Sequence, residues 1–229
     1  MKTIGLIGGM SWESSLEYYR IINETVKERL GGLRSARIVM YSFDFEYVAK
    51  LQHEGRWDEA TDLIIKAAQR LEKAGAELLV ICTNTMHIVA DEVQKNIKIP
   101  LLHIADATAE EIKAKGLNKI GLLGTRFTME KDFYKSRLVK KHGLKVIIQS
   151  ELERQIVHDI IYNELCRGEI KKSSREQFSK IIQKLVENGS EGIILGCTEI
   201  CLLVKQQDVQ VPLFDTTAIH ATSAASFAI

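Results

Sequence analysis

Three pairs of matched segments recur along the chain at nearly one spacing, and they constrain the fold more than any other feature. "IGLIGGMS" at 4–11 is answered by "IGLLGTRF" at 120–127, 116 residues later. Thr83-Asn84-Thr85 stands 114 residues before Cys197-Thr198-Glu199. "IPLLHIADATA" from Ile99 precedes "VPLFDTTAIHA" from Val211 by 112 residues, and the only two prolines, Pro100 and Pro212, hold the same place in each. Ordered matches at a near-constant offset predict two similar halves of about 115 residues each. A chain of 229 residues is long enough for each half to have a core.

The halves are expected to be α/β. Strand candidates are 3–8, 37–43, 77–83, 99–104, 119–124, 145–149, 192–196 and 211–214. Most are continuously apolar rather than alternating, as befits strands of a parallel sheet covered on both faces. Helical patterns lie between them. Leu16, Tyr19, Ile22, Val26 and Leu30 fall at steps of three or four, with Ser11 as N-cap and Gly31-Gly32 as the stop. Helices near 57–74, 106–115 and 129–141 run into Gly75, Gly116 and Gly143. The strand–helix alternation predicts two pseudo-symmetric lobes, each a mostly parallel sheet flanked by helices. The lobes are assigned as 1–98 with 208–229, and 99–207.

Composition excludes several function classes. The net charge is +1 and no Lys/Arg block stands out, so nucleic-acid binding has no electrostatic support. The short "KKSSR" run from Lys171 reads as a solvated turn. "MKTIGLIGG" is too briefly apolar, and too broken by glycine, for a secretion signal. No run of about 18 apolar residues suggests a membrane span. The expected setting is cytoplasmic, with the four cysteines reduced. Cys197 and Cys201 have the spacing of one helix face, but no His pair or second cysteine pair completes a metal ligand set. "GLIGGMS" is GxxGG rather than GxGxxG, and only Asp44 follows a second strand, which argues against a dinucleotide site.

In open parallel sheets, ligands gather beyond the carboxyl ends of the strands. The polar motifs cluster there: Met10-Ser11, Thr83-Asn84-Thr85, Thr125 and Cys197-Thr198-Glu199. Two halves facing each other across a pseudo-twofold axis would set Thr83 opposite Cys197, making the interlobe cleft the expected active site. Groups on opposite sides of an α-carbon can remove a proton from one face and return one to the other. A thiolate serves as the base only if its pKa falls from about 8.5 towards neutrality. Thr198 offers a hydroxyl to such a thiolate, and Glu199 a proton relay. The backbone N–H groups of Asn84, Thr85 and Thr198, at helix starts, suit a substrate carboxylate.

"IGLIGGMSWES", "CTNTMH", "LGTRFTM" and "GCTEI" resemble, in order and across nearly the whole chain, the motifs of the cofactor-independent aspartate/glutamate racemase superfamily. The resemblance implies two α/β lobes around an interlobe site, and racemisation of an amino acid without pyridoxal phosphate, other cofactor or metal, usually by a homodimer. The family pattern has cysteine before "NT" and again before "TE"; those places here are Thr83 and Cys197. Family ligand contacts fall on Asn84, Thr85, Thr125, Thr128 and Thr198, with Met10 and Gln52 beside the cleft. Thr83 is the departure. A threonine hydroxyl is too weak an acid to serve as a routine base, and Cys82, one residue earlier, points to the other face of the strand. Cys197 is therefore expected to be the one competent thiol, with unequal handling of the two enantiomers of aspartate or glutamate.

Blander assignments stand beside these. Cys82, Cys166 and Cys201 read as structural. Glu199 also suits a plain helix start. His87, His103 and His220 read as helix-surface or satisfied core residues, and Gln52 as surface or ligand contact. A single-cysteine decarboxylase or isomerase of the same superfamily, needing only one proton donor, is the nearest rival. A non-catalytic amino-acid-binding protein is the rival from another class.

Overall fold

The continuously apolar runs become strands because both faces of each are covered. The computed structural model describes every residue from Met1 to Ile229. Its first part runs β1 (Thr3–Gly8), α1 (Trp12–Leu30), β2 (Arg37–Ser42), α2 (Phe45–His53), α3 (Trp57–Lys73), β3 (Leu78–Ile81), a 3-10 turn (Thr85–Val89), α4 (Ala90–Lys95) and β4 (Leu101–Leu102). There follow α5 (Ile104–Ala114), β5 (Lys119–Gly124), α6 (Arg126–Glu130), α7 (Asp132–Lys140), β6 (Lys145–Ile147), α8 (Glu151–Asn163), a 3-10 turn (Leu165–Arg167) and α9 (Lys172–Glu187). The chain then passes through β7 (Gly192–Gly196), α10 (Ile200–Leu203), a 3-10 turn (Gln206–Asp208) and β8 (Leu213–Asp215) to α11 (Thr216–Ala228). No helix is long and apolar enough to cross a membrane.

Two compact units result, Met1–Ile104 with Thr217–Ile229, and Ala105–Thr216. The first holds a parallel sheet of order β2-β1-β3-β4 and the second a parallel sheet of order β6-β5-β7-β8. In the first unit α11 packs Ala221, Ala224, Ala225 and Ala228 with Ile4, Leu6, Tyr18, Ile22 and Val26, while α2 and α3 bury Val48, Leu51, Ile64 and Leu71 with Ile7, Leu79 and Ile81. In the second unit α8 and α9 bury Val157, Ile161, Phe178, Ile182 and Leu185 against Leu123, Ile193 and Leu195.

The repeat seen in the sequence extends to single hydrogen bonds. Glu77 Oε2 accepts the Thr3 N–H at 2.8 Å, and Glu191 Oε2 accepts those of Asn118 and Lys119 at 2.7 and 2.8 Å. Gln94 clamps the edge of its sheet by accepting from Leu101 N and donating to Ile99 O; Gln206 does the same with Leu213 N and Val211 O. Such a bond contributes on the order of 1 kcal/mol. Gly5 and Gly121 are also equivalent, each leaving room for side chains packed over the strand, among them Leu71 of α3 and Leu185 of α9. A Cβ at Gly5 would lie 2.8 Å from Ala76 Cβ, and one at Gly121 2.6 Å from Ile193 Cδ1.

Several local expectations need correction. The buried face of α1 comprises Ser14, Ser15, Tyr18, Ile22, Thr25 and Val26, whereas Leu16 and Tyr19 are exposed. The helix lies so close to β1 that small hydroxyl residues fill its first turn, and Ser15 Oγ accepts the Gly9 N–H at 2.8 Å. The helix expected over 129–141 is two helices, broken at Lys131, whose ψ of 148° is extended. The "KKSSR" run is not a turn; Lys172 opens α9, with Lys171 as its N-cap. The strand expected over 99–104 is only two residues long.

Candidate active site

Each sequence-predicted site residue stands at or beside the carboxyl end of a strand, or on a neighbouring helix. In the first unit β1 ends at Gly8 and leads to Met10, which is buried, and to Ser11, which caps α1 through a 3.4 Å bond from Ser14 N. β3 ends at Ile81, and the chain turns at once: Thr83 N–H donates to Ile81 O at 2.9 Å, and His87 N–H to Asn84 O at 3.1 Å. Asn84 and Thr85 are buried at the start of the 3-10 turn, and Thr83 is part-exposed. Gln52, open between surface and site on sequence grounds, is buried and donates Nε2–H to Met86 Sδ at 3.0 Å. That contact ties the end of α2 to the turn carrying Thr83.

The second unit repeats the plan with different chemistry. Thr125 caps α6, accepting from Thr128 N at 3.4 Å, and its hydroxyl lies 3.3 Å from Thr128 Oγ1. Thr128 is wholly buried, so it braces Thr125 from behind. After β7, Cys197, Thr198 and Glu199 form the three-residue turn before α10. Cys197 Sγ–H donates to Glu199 Oε2 at 3.0 Å, and Thr198 Oγ1–H donates to the same oxygen at 2.6 Å. Cys201 Sγ–H donates to Thr198 O at 2.9 Å. Cys197 precedes α10 and Cys201 lies within it, so the helix face considered for a metal pair does not exist.

The electrostatics depart from the expectation of a poised thiolate. Burial, the adjacent Glu199 charge and Cys166 push the Cys197 thiol well above its ordinary range. Thr198, expected to donate to the sulfur, donates to Glu199 instead. The resting turn therefore holds a neutral thiol whose proton already points at a carboxylate. Tyr162 on α8 senses the same charges: its phenol is pushed up by burial and then by Cys197, Cys166 and Glu199. Its ring lies 4.7 Å from that of His158, tilted by 48°, and His158 accepts the Arg126 N–H beside Thr125 at 3.3 Å. Sequence reasoning missed this pair because α8 was not assigned; its signal is an aromatic four residues after a histidine. Cys82 is fully buried in the core and its thiol is pushed up by burial alone. His87, His103 and His220 are all buried rather than helix-surface.

Comparison with known proteins agrees with the motifs. A profile described as Asp/Glu/hydantoin racemase matches residues 7–224. The chain is 56% identical to the crystal structure of a Yersinia pestis protein assigned to the Asp/Glu racemases, covering 100% of this chain and 99% of that one with a TM-score of 0.95. It is 38% identical to the crystal structure of an aspartate racemase homologue from Pyrococcus horikoshii, covering 100% and 99% with a TM-score of 0.86. A broad specificity amino-acid racemase of Bacillus subtilis is 26% identical over 97% of this chain and 96% of its own. The match over nearly the whole length and both strand-end turns makes this chain a member of the Asp/Glu/hydantoin racemase family, and thereby an isomerase.

Proposed function

We propose that the protein racemises an acidic amino acid, aspartate or glutamate or both, by removing and returning the α-proton without pyridoxal phosphate or metal. The observation that carries this reading is the Cys197–Glu199 pair, a thiol sulfur 3.0 Å from an oxygen of a buried carboxylate at a strand end. For Cys197 to act as the base, substrate binding must first lower its thiol from the raised resting value; Cys197 then passes its proton to Glu199 and becomes a thiolate. The thiolate then takes the α-proton from one face of the substrate, and the carbanion's charge spreads into the substrate carboxylate. Hydroxyl and amide donors, from Asn84, Thr85, Thr125 and Thr198, serve that carboxylate, which is the most demanding part of the reaction. Thr128 orients Thr125, and Met10 and Gln52 shape the surroundings of the first unit's turn.

Inversion needs a proton on the opposite face. Thr83, the positional counterpart of Cys197, or a water held by its hydroxyl, supplies it. The Thr83 alkoxide, or the hydroxide left by the water, is neutralised through solvent by the proton on Glu199, which returns the site to its starting state. Because enantiomers have equal free energies in water, kcat/KM in the two directions must be equal, and the inequality of Thr83 and Cys197 shows only in kcat and KM separately. A cytoplasmic homodimer is the expected working form, checked by light scattering of the pure protein.

The test is incubation in D₂O with each enantiomer of aspartate and glutamate, followed by NMR of the α-proton and chiral chromatography. Exchange with inversion is expected, abolished by Cys197→Ala. Absence of exchange with all four would overturn the proposal and favour a single-cysteine decarboxylase, read out as CO₂ release from a malonate.

A further inference from the structure

We infer that His87 is a positioning residue for Thr83, holding the first unit's turn through a neutral imidazole of fixed tautomer. The inference rests on the proposed role of Thr83 in inversion. His87 is 2% exposed, and its ring bridges two backbone groups. Nδ1 lies 2.8 Å from Thr83 O, and Nε2 lies 3.2 Å from Ile104 N. A carbonyl oxygen can only accept and a backbone N–H can only donate, so Nδ1 carries the proton and Nε2 does not. The imidazole thus ties the second residue after β3 to the residue after His103.

The ring itself is held in place. His103 packs on it at 4.6 Å between centroids and His220 meets it edge-on at 5.6 Å. His220 is anchored in turn, accepting from Tyr18 Oη–H at 2.8 Å and donating Nε2–H to Leu102 O at 2.9 Å. The second unit supplies an independent parallel. Cys201 occupies the place of His87 in the repeat, and its side chain likewise donates to a carbonyl of its strand-end turn, Thr198 O. A brace at this position is therefore common to both units, and in the first it grips the residue that must face the substrate. Displacing a reacting group by 1 Å lowers a rate by about 10²-fold, so the carbonyl bond has leverage on inversion.

Two substitutions separate the two bonds. Asparagine places an N–H donor where Nδ1 stands, and glutamine places its amide where Nε2 stands. His87→Asn keeps the bond to Thr83 O and loses that to Ile104 N; His87→Gln does the reverse. The readout is the ratio of inversion to exchange without inversion in D₂O, using the enantiomer whose α-proton Cys197 takes. His87→Gln is expected to lower inversion by about tenfold or more while exchange from the Cys197 side stays within a few-fold of wild type. His87→Asn is expected to invert nearly normally. Equal losses of inversion and exchange in both variants, or no loss in His87→Gln, would overturn the inference. Should His87→Gln not fold, long-range ¹H–¹⁵N spectra of the wild type decide: the Nδ1–H tautomer supports the inference, and an Nε2–H tautomer or an imidazolium at neutral pH overturns it. Failure of the wild type itself to exchange any acidic amino acid would instead count against the racemase reading.

Discussion

Acidification should destabilise the first unit through one residue, His220. Its side chain is wholly buried, and both ring nitrogens are committed in the neutral form, Nε2–H to Leu102 O and Nδ1 to the Tyr18 hydroxyl. Burial first, and then the neighbouring His87, depress its pKa from 6.5 to about 3, against the smaller opposing effect of the Leu102 carbonyl. The unfolded chain takes up a proton on this histidine near pH 6.5, and the folded chain does so only near 3. The stability due to neutral His220 is thus complete above pH 6.5 and is lost as pH falls from 6.5 towards 3. The slope is about 1.4 kcal/mol per pH unit, which amounts to about 2 kcal/mol at pH 5. With a urea dependence of about 2 kcal/mol per molar, the midpoint moves down by about 1 M. Tyr18→Phe combined with His220→Gln removes the titrating ring, retains an N–H for Leu102 O and leaves no orphaned hydroxyl. Urea unfolding at pH 7.5 and 5.0 is followed by the fluorescence of Trp12 and Trp57, the only tryptophans, both in the first unit. The wild-type midpoint should fall by about 1 M more than that of the double variant. Equal falls in the two proteins would refute the assignment of this pH dependence to His220.

Two other outcomes follow from the geometry. Glu199→Gln preserves the shape of the turn but cannot take up the Cys197 proton; kcat for racemisation should fall by about 10²–10⁴-fold with the fold intact, checked by steady-state polarimetry beside thermal unfolding. Gly5→Ala drives a Cβ to 2.8 Å from Ala76 Cβ, which cannot rotate away, whereas Gly121→Ala meets first the mobile end of Ile193. Gly5→Ala should cost about 1–3 kcal/mol of stability and Gly121→Ala less, measured by denaturant unfolding, and the reverse order would show the packing argument to be wrong.

Much of the fold was legible because its cause is local. Strands buried on both faces read as continuous apolar runs, and three of them, at 3–8, 119–124 and 192–196, have the bounds read from sequence. Helix ends were legible where a chemical signal marks them, as at Ser11 and Gly31. The buried face of α1 was not, because Ser14 and Ser15 are polar by type and face the strand only through their size. The strand-end location of the polar turns was legible as well. Which way Gln52 turns and the protonation of Cys197 were not, since the first depends on a neighbour distant in sequence and the second on the loss of water that packing imposes; nor was the Thr198 bond to the adjacent Glu199, which the conformation of the turn decides.

The departure at Thr83 belongs to a wider divergence between the two copies of the turn. Thr85 stands in the repeat where Glu199 stands, His87 where Cys201 stands, and His103 where Asp215 stands. The second unit thus gathers thiols and carboxylates around its turn, and Asp215 raises the Cys201 thiol as Glu199 raises that of Cys197. The first gathers hydroxyls and imidazoles, with the His87 ring accepting the Ile104 N–H and His220 held neutral by burial. A thiol placed at 83 would find no carboxylate in the position of Glu199 to accept its proton. The asymmetry between the units is therefore a property of each turn as a whole: one sets a thiol against a carboxylate two residues away, and the other holds a threonine by its backbone carbonyl.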